Sequence, residues 1–224
     1  MICVMQPYFA PYGGYFQLFA FSETFVLLDC VQFPRRGWVH RNQLPQQDGR
    51  AAWLTVPLQP APREATIDSL RLSADAGVRL ANEARRFPSL EAGLQRGDSL
   101  AEAVVRPAQT DFVDYAETIL RMISDRLGFA TQMIRSSRLE VPMTYRGQDR
   151  ILEIVRRLGA DSYLNPSGGR DLYDPAKFAE AGVELNFLQP YRGPTWSLLH
   201  RLMVEPAEAL AAEIRATPPL RAVA

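Results

Sequence analysis

Two short apolar runs, Ile2–Met5 (ICVM) and Phe25–Asp29 (FVLLD), bracket a loop and a helical stretch within the first 30 residues. That is the length of one β-α-β unit, and such a crossover sets two parallel strands side by side. The loop, Pro7 to Gly14, is rich in Pro, Gly and Tyr, and from Gly14 the residues Tyr15, Leu18, Phe19 and Phe21/Ser22 fall on one side of a helix. Further on, Asp48-Gly49 reads as a tight turn between Leu44 and the β-favouring run Ala51–Leu58, whereas Arg35–Gln43 has no clean period. Thr66–Leu72 alternates loosely and is expected to be a strand. The middle third is helical: Asp75–Arg86, Ser89–Gln95, Ser99–Val105 and Thr110–Leu127. In the last of these Phe112, Tyr115, Ala116, Ile119, Met122, Ile123 and Leu127 form one apolar face, with Thr110 as N-cap and Gly128 as the stop.

The last third alternates again. Strands are expected at Thr131–Ile134, Ser162–Asn165 and Val183–Leu188, and helices at Gln148–Leu158, Pro175–Ala181, Pro194–Val204 and Pro206–Thr217. Alternation at both ends predicts an α/β protein with a Rossmann-like parallel sheet and a helical middle lobe. The expected division is an N-terminal α/β half over 1–74, a lobe over 75–128, and a C-terminal half over 129–224 that completes the same domain.

Composition narrows the chemistry. Basic and acidic residues balance at 25 each, which argues against a nucleic-acid partner, and no apolar run approaches the ~18 residues of a membrane span. The opening MICVMQPYFA has no basic n-region, so a cytoplasmic location is expected. All but one of the basic residues are arginine, and Lys177 is the only lysine. With two histidines, His40 and His200, a Ser-His-Asp triad or a His-rich metal site has almost nothing to be built from, and no metal site is expected. Cys3 and Cys30 are too few for a disulfide scaffold. The sequence marks neither a cofactor nor an oligomeric state.

Three segments carry candidate chemistry. In open α/β sheets ligands bind beyond the carboxyl ends of the strands. Gln6 and Tyr8 fall there, and the helix start at Gly13, Gly14 and Tyr15 presents free amides suited to phosphate or carboxylate. The same loop would equally serve to pack on the core. Asp29 closes the second strand at the same edge, as a base or an orienting carboxylate. Gln32, Trp38, His40, Arg41 and Asn42 follow it; arginine forks clamp carboxylate or phosphate, and an indole offers a stacking surface. The competing reading is a solvated charged loop in which Asp29 pairs with an arginine, and Cys30 with His40 as its base is a further arrangement. The third segment joins Gln148 and Asp149 to the loop Asn165-Pro166-Ser167-Gly168-Gly169, whose glycines let backbone amides approach an anion.

These blocks, MQPYFAPYGGYFQL, LLDCVQFPRRGWVHRNQL, WLTVPL and YRGQDRILEIVRRLGADSYLNPSGGRDLYD, resemble the WbqC-like protein family in the same order along nearly the whole chain. The resemblance implies an association with O-antigen and other surface polysaccharides, and decoration of amino sugars with acyl or aminoacyl groups. Its motif positions fall here on Gln6, Pro7, Tyr8, Gly14, Tyr15, Asp29, Gln32, Trp38, Arg41, Asn42, Gln148, Asp149, Asn165, Gly168 and Gly169. Many members carry Asp-Asp where this chain has Asp29-Cys30. The strand, Pro-aromatic loop and Gly-Tyr-Phe helix start are also similar in layout to HIGH-type (HUP) nucleotidyltransferases. Tyr15 stands where those enzymes place a histidine, and no lysine matches their second motif.

The expected function is therefore transfer of an acyl or aminoacyl group to a nucleotide-linked amino sugar or related surface-glycan precursor. The partners are then small molecules, an activated sugar and an acyl donor. Asp29, Arg41 and Asn42 are the candidate catalytic residues. Gln6, Tyr8, Gly13, Gly14, Tyr15, Gln32, Trp38, His40, Gln148, Asp149, Asn165, Ser167, Gly168 and Gly169 are the candidate substrate contacts. The alternatives are a nucleotidyltransferase or ATP-dependent ligase in the same pocket, and a non-catalytic binding protein of a glycan-assembly complex.

Overall fold

A computed structural model of the protein describes residues 1–222. In chain order the elements are β1 (Ile2–Met5), α1 (Gly13–Phe21), β2 (Thr24–Leu27), β3 (Arg41–Pro45), β4 (Ala51–Thr55), α2 (Ala76–Ala84), α3 (Pro88–Gln95), α4 (Ser99–Val105), α5 (Phe112–Arg126) and β5 (Gln132–Arg135). They continue with α6 (Gly147–Arg157), β6 (Ser162–Asn165), α7 (Pro175–Glu180), β7 (Glu184–Phe187), α8 (Leu198–Val204), α9 (Ala207–Arg215) and β8 (Leu220–Arg221). Six strands form one sheet in the order β5-β2-β1-β6-β7-β8, parallel throughout except for β8. The chain runs outward from β1 to β2 and β5, then crosses back to β6 and outward to β7. This is a Rossmann-like arrangement with its switch point between β1 and β6.

Burial on both faces explains why β1 is a continuous apolar run. Ile2 and Val4 pack with Ile154, Val155, Tyr163 and Phe178 on the α6–α7 face, while Cys3 faces the larger cluster containing α1, α5, α8 and α9. Helix α1 lies inside that cluster, with Gly13 through Phe19 all buried, and so lacks a polar face. The β3–β4 hairpin turns at Gly49 (φ +77°) and buries Asn42, Leu44, Ala52 and Leu54 on one side. Asp98 caps α4 through the amides of Leu100 and Ala101 and grips Arg126 of α5 with both oxygens, tying the middle helices together.

Several expectations need correction. Thr66–Leu72 is not a strand: a single 3-10 turn, Ile67–Ser69, forms instead. Its amides leave the sheet pattern because Ile67 N–H donates to the Val31 carbonyl and Asp68 N–H to that of Asp29. The unperiodic Arg35–Gln43 stretch contains the start of β3. The Asn165–Gly169 loop runs into a 3-10 helix, Ser167–Leu172. Helix α8 starts at Leu198 rather than Pro194, because the Ser197 hydroxyl caps the Leu199 amide, and α5 begins after Asp111 rather than Thr110. Strand β8, antiparallel to β7, was not expected.

Candidate functional site

The carboxyl edge of the sheet gathers pieces of all three segments. Beyond β1 the Tyr15 hydroxyl donates to the Gln6 carbonyl at 2.7 Å, and the Tyr8 and Tyr15 rings lie 5.4 Å apart. Burial pushes both phenols above their ordinary pKa, so each stays a neutral hydroxyl. Leu28 N–H donates to the Met5 carbonyl, bringing the exit of β2 beside that of β1. On the other side β1 pairs with β6, which ends at Asn165.

Asp29 is buried at 1% exposure, and its carboxylate is fully engaged. Oδ1 accepts from Ser136 Oγ (2.9 Å) and Ser137 N–H (2.8 Å), and Oδ2 accepts from Ser137 Oγ (2.7 Å). The carboxylate thus ties the exits of β2 and β5. Its partners are serines, not the arginine of the charged-loop reading. Cys30, next in the chain, has Ser136 Oγ and Arg150 Nη1 each at 3.2 Å from its sulfur. Arg150 is buried, donates also to the carbonyls of Tyr145 and Pro142, and has no carboxylate partner among the described residues. His40 does not touch Cys30: its Nδ1 is buried without a partner beside the Phe33 ring. Cys3 is also fully buried, and burial pushes its thiol up to about 12.

Other candidate residues take structural positions. Asn42 is buried; its amide donates to the Phe9 and Ala10 carbonyls and its oxygen accepts from Gln43 N–H, locking the β1–α1 loop onto the hairpin. Arg41 lies 4.2 Å over the Trp53 ring, with Trp38 5.0 Å beyond, and donates to the Gly37 and Arg36 carbonyls. The Trp38 side chain is exposed, while the carbonyls of Trp38 and Val39 accept from Phe9 N–H. Gln32 donates to the Arg63 carbonyl. Gly13 and Gly14 are buried against the rings of Tyr191 and Tyr12, which a Cβ at either position would force to move. At the start of α6 the Gln148 side chain accepts from Asp174 N–H, while the exposed Asp149 carboxylate has no partner among the described residues.

In the β6 loop Asn165 is buried, accepting from the Tyr163 hydroxyl at 2.9 Å. Gly169 packs on the Asn165 amide, Ser167 is half-buried, and Gly168 is exposed with open space around it. Gln6, Tyr8, Asp29, Asn165 and Ser167 therefore lie at or beyond the carboxyl ends of the neighbouring strands β1, β2 and β6. His40 lies instead in a recess bordered by the hairpin. Ser136, Ser137 and Arg150 were missed as site residues. The two serines follow an expected strand at its carboxyl end, the one signal available for them.

Among the described residues no group of three or more His, Cys, Asp and Glu is placed to hold a metal ion, and no helix is long and apolar enough to cross a membrane.

Sheet order and edge together define a mixed α/β protein of Rossmann-like architecture whose switch point is walled by the β1–α1 and β6 loops. The chain belongs to the WbqC-like protein family, which matches it over residues 6–202. A curated relative from Mycobacterium tuberculosis (strain ATCC 25618 / H37Rv), described as uncharacterized protein Rv1507c, is 23% identical over 189 residues, covering 83% of this chain and 80% of the relative. No solved structure matches the chain significantly.

Proposed function

We propose that the protein transfers an acyl or aminoacyl group to the amine of a nucleotide-linked amino sugar or related surface-polysaccharide precursor. The observation that carries this reading is that the Gln6–Tyr8 and Asn165–Gly168 segments lie at the carboxyl ends of the neighbouring strands β1 and β6, at the sheet's switch point, where Rossmann-like proteins receive nucleotides. In this reading Gln6, Tyr8, Asn165 and Ser167 bind the sugar nucleotide, with the open Gly168 amide toward its phosphates. The exposed Trp38 offers a stacking face for the base or sugar, and Arg41 holds the neighbouring Trp53 in place.

Acyl transfer to an amine requires loss of the ammonium proton before attack and stabilisation of the developing oxyanion. Asp29, with both oxygens engaged, serves as the orienting carboxylate that fixes Ser136 and Ser137. The Asp149 carboxylate, exposed in the first turn of α6 and without a partner among the described residues, is the group assigned in this reading to accept the ammonium proton.

The test is incubation with nucleotide-linked amino sugars and activated acyl donors, followed by mass spectrometry for the N-acylated product, together with identification of any co-purified ligand. Turnover should fall at least tenfold in Asp149→Asn and Arg41→Ala. Unchanged turnover in both variants would remove these assignments. The sheet order also favours a second reading, a HUP-type nucleotidyltransferase or ligase, which predicts stabilisation by ATP or CTP with magnesium instead.

A further inference from the structure

A recess of about 360 Å³ opens beside the β3–β4 hairpin, and its lining includes Phe33, Arg35, His40, Thr55, Leu70 and Arg79. Leu58, Pro60 and Ala61 give it one aliphatic wall beside its polar groups, and no carboxylate of the described residues lines it. Two guanidiniums and an imidazole do, beside the Thr55 hydroxyl and the Gln59 amide. Arg35 uses one guanidinium nitrogen on the Ala61 and Pro62 carbonyls (2.5 and 2.7 Å), which leaves its other N–H groups free. Arg79 has only Asp75 near it, at 4.0 Å and outside the lining. His40 is the third.

The imidazole is the informative member. Its Nδ1 is buried with no hydrogen-bond partner among the described residues, beside the Phe33 ring. Its Nε2 also makes no hydrogen bond among the described residues but is not buried, so it is the nitrogen that a ligand can reach. Burial, and then the charge of Arg41, hold the ring down to about 4, so it is neutral at pH 7 with one proton to place. A bare Nδ1 in apolar surroundings and a protonated Nε2 at the recess put that proton where a ligand acceptor can use it.

We infer that this recess binds a carboxylate with a short aliphatic body, its oxygens accepting from His40 Nε2–H, Arg35 and Arg79 and its chain lying on the aliphatic wall. A phosphate would find the same two guanidiniums but would gain nothing from Leu58, Pro60 and Ala61, so the lining selects a carboxylate that carries hydrocarbon. The volume suits a ligand of about four to eight carbons. Thr55 pairs across the hairpin with Arg41 and shares its face with Trp53, so occupancy is readable by tryptophan fluorescence. The site stands apart from the proposed transfer reaction: its test reads binding alone, and either reading can fail without the other.

The experiment titrates the full chain with hexanoate, hexanamide and inorganic phosphate, following fluorescence and thermal midpoint. Long-range ¹H–¹⁵N spectra of the two histidines run in parallel. Hexanoate should bind saturably and move the His40 Nε2 resonance while leaving His200 unmoved. Hexanamide and phosphate should bind at least tenfold more weakly. Arg79→Gln and His40→Phe should each weaken hexanoate about tenfold, as loss of a charge-assisted hydrogen bond does, whereas Arg63→Gln, outside the lining, should not. Equal responses to hexanoate and phosphate would mean pairing with surface arginines only. An unmoved His40 resonance in the wild-type protein would overturn the proposal even where the variants fail to fold.

Discussion

Removing the Asp29 carboxylate tests the central structural argument, that this group joins the ends of β2 and β5. Asp29→Ala deletes the acceptor for two hydroxyls and one amide at 2.7–2.9 Å in a site with 1% exposure. Ser136 Oγ can turn to Cys30 Sγ, 3.2 Å away, but Ser137 N–H is fixed by its backbone and loses its acceptor. Hydrogen bonds to a charged group contribute about 1.5–3 kcal/mol each, and a buried unsatisfied donor costs about 1–3 kcal/mol. The carboxylate's own desolvation no longer has to be overcome and offsets part of this, so the net loss should be about 3–5 kcal/mol. Asp29→Asn keeps one acceptor oxygen, and Ser137 Oγ can rotate to accept from the new amide; its loss should be about 1–2 kcal/mol. Urea unfolding followed by circular dichroism gives both values, and a double-mutant cycle with Ser137→Ala isolates the shared term. A loss below about 1 kcal/mol for Asp29→Ala would refute the reasoning.

Glu213→Gln should cost about 2–3 kcal/mol in the same assay, less than the 3–5 of a fully buried pair because Glu213 is a third exposed. Its partner Arg201 is 3% exposed and keeps Glu205. Arg201 holds the Glu213 carboxyl below its ordinary pKa, so that stabilisation is present above the unfolded carboxyl pKa and is lost as pH falls through the folded one. Gly13→Ala and Gly14→Ala should each destabilise by about 1–3 kcal/mol through overpacking against Tyr191 and Tyr12, while Gly168→Ala, with open space around it, should be neutral within the error of the melt. An NMR titration should find His40 neutral down to about pH 4. Its folded pKa lies below the ordinary 6.5, so its contribution is present above pH 6.5 and fades as pH falls to about 4; His40→Phe should flatten the acid limb of stability in that window.

Local patterns gave the sheet away. Ile2–Met5 and Ser162–Asn165 are strands over the residues expected, because a strand buried on both faces writes itself as an apolar run stopped by proline or a loop. The amphipathic face of α5 was readable for the same kind of reason. Thr66–Leu72 misled because its alternation serves separate backbone contacts to Val31 and Asp29 rather than a strand ladder. Gly13-Gly14 looked like an anion cradle because a glycine pair at a helix start reads the same whether a phosphate or a tyrosine ring lies against it. Asn42 and Arg41 read as substrate groups because nothing near them in the chain announces Phe9, Ala10 or Trp53 as their partners.

What the chain determined by itself is the succession of strands and helices and the bringing of Gln6, Asp29 and Asn165 to one edge, since parallel strands joined by crossovers align their carboxyl ends. What only the folded molecule decided is the occupation of each polar group. Ser136 and Ser137, more than a hundred residues away, take the Asp29 oxygens, and Arg150 finds Cys30 across a similar span. Hydrogen-bond partners separated by such distances leave no periodic trace in sequence, because their meeting depends on the order in which the strands pack.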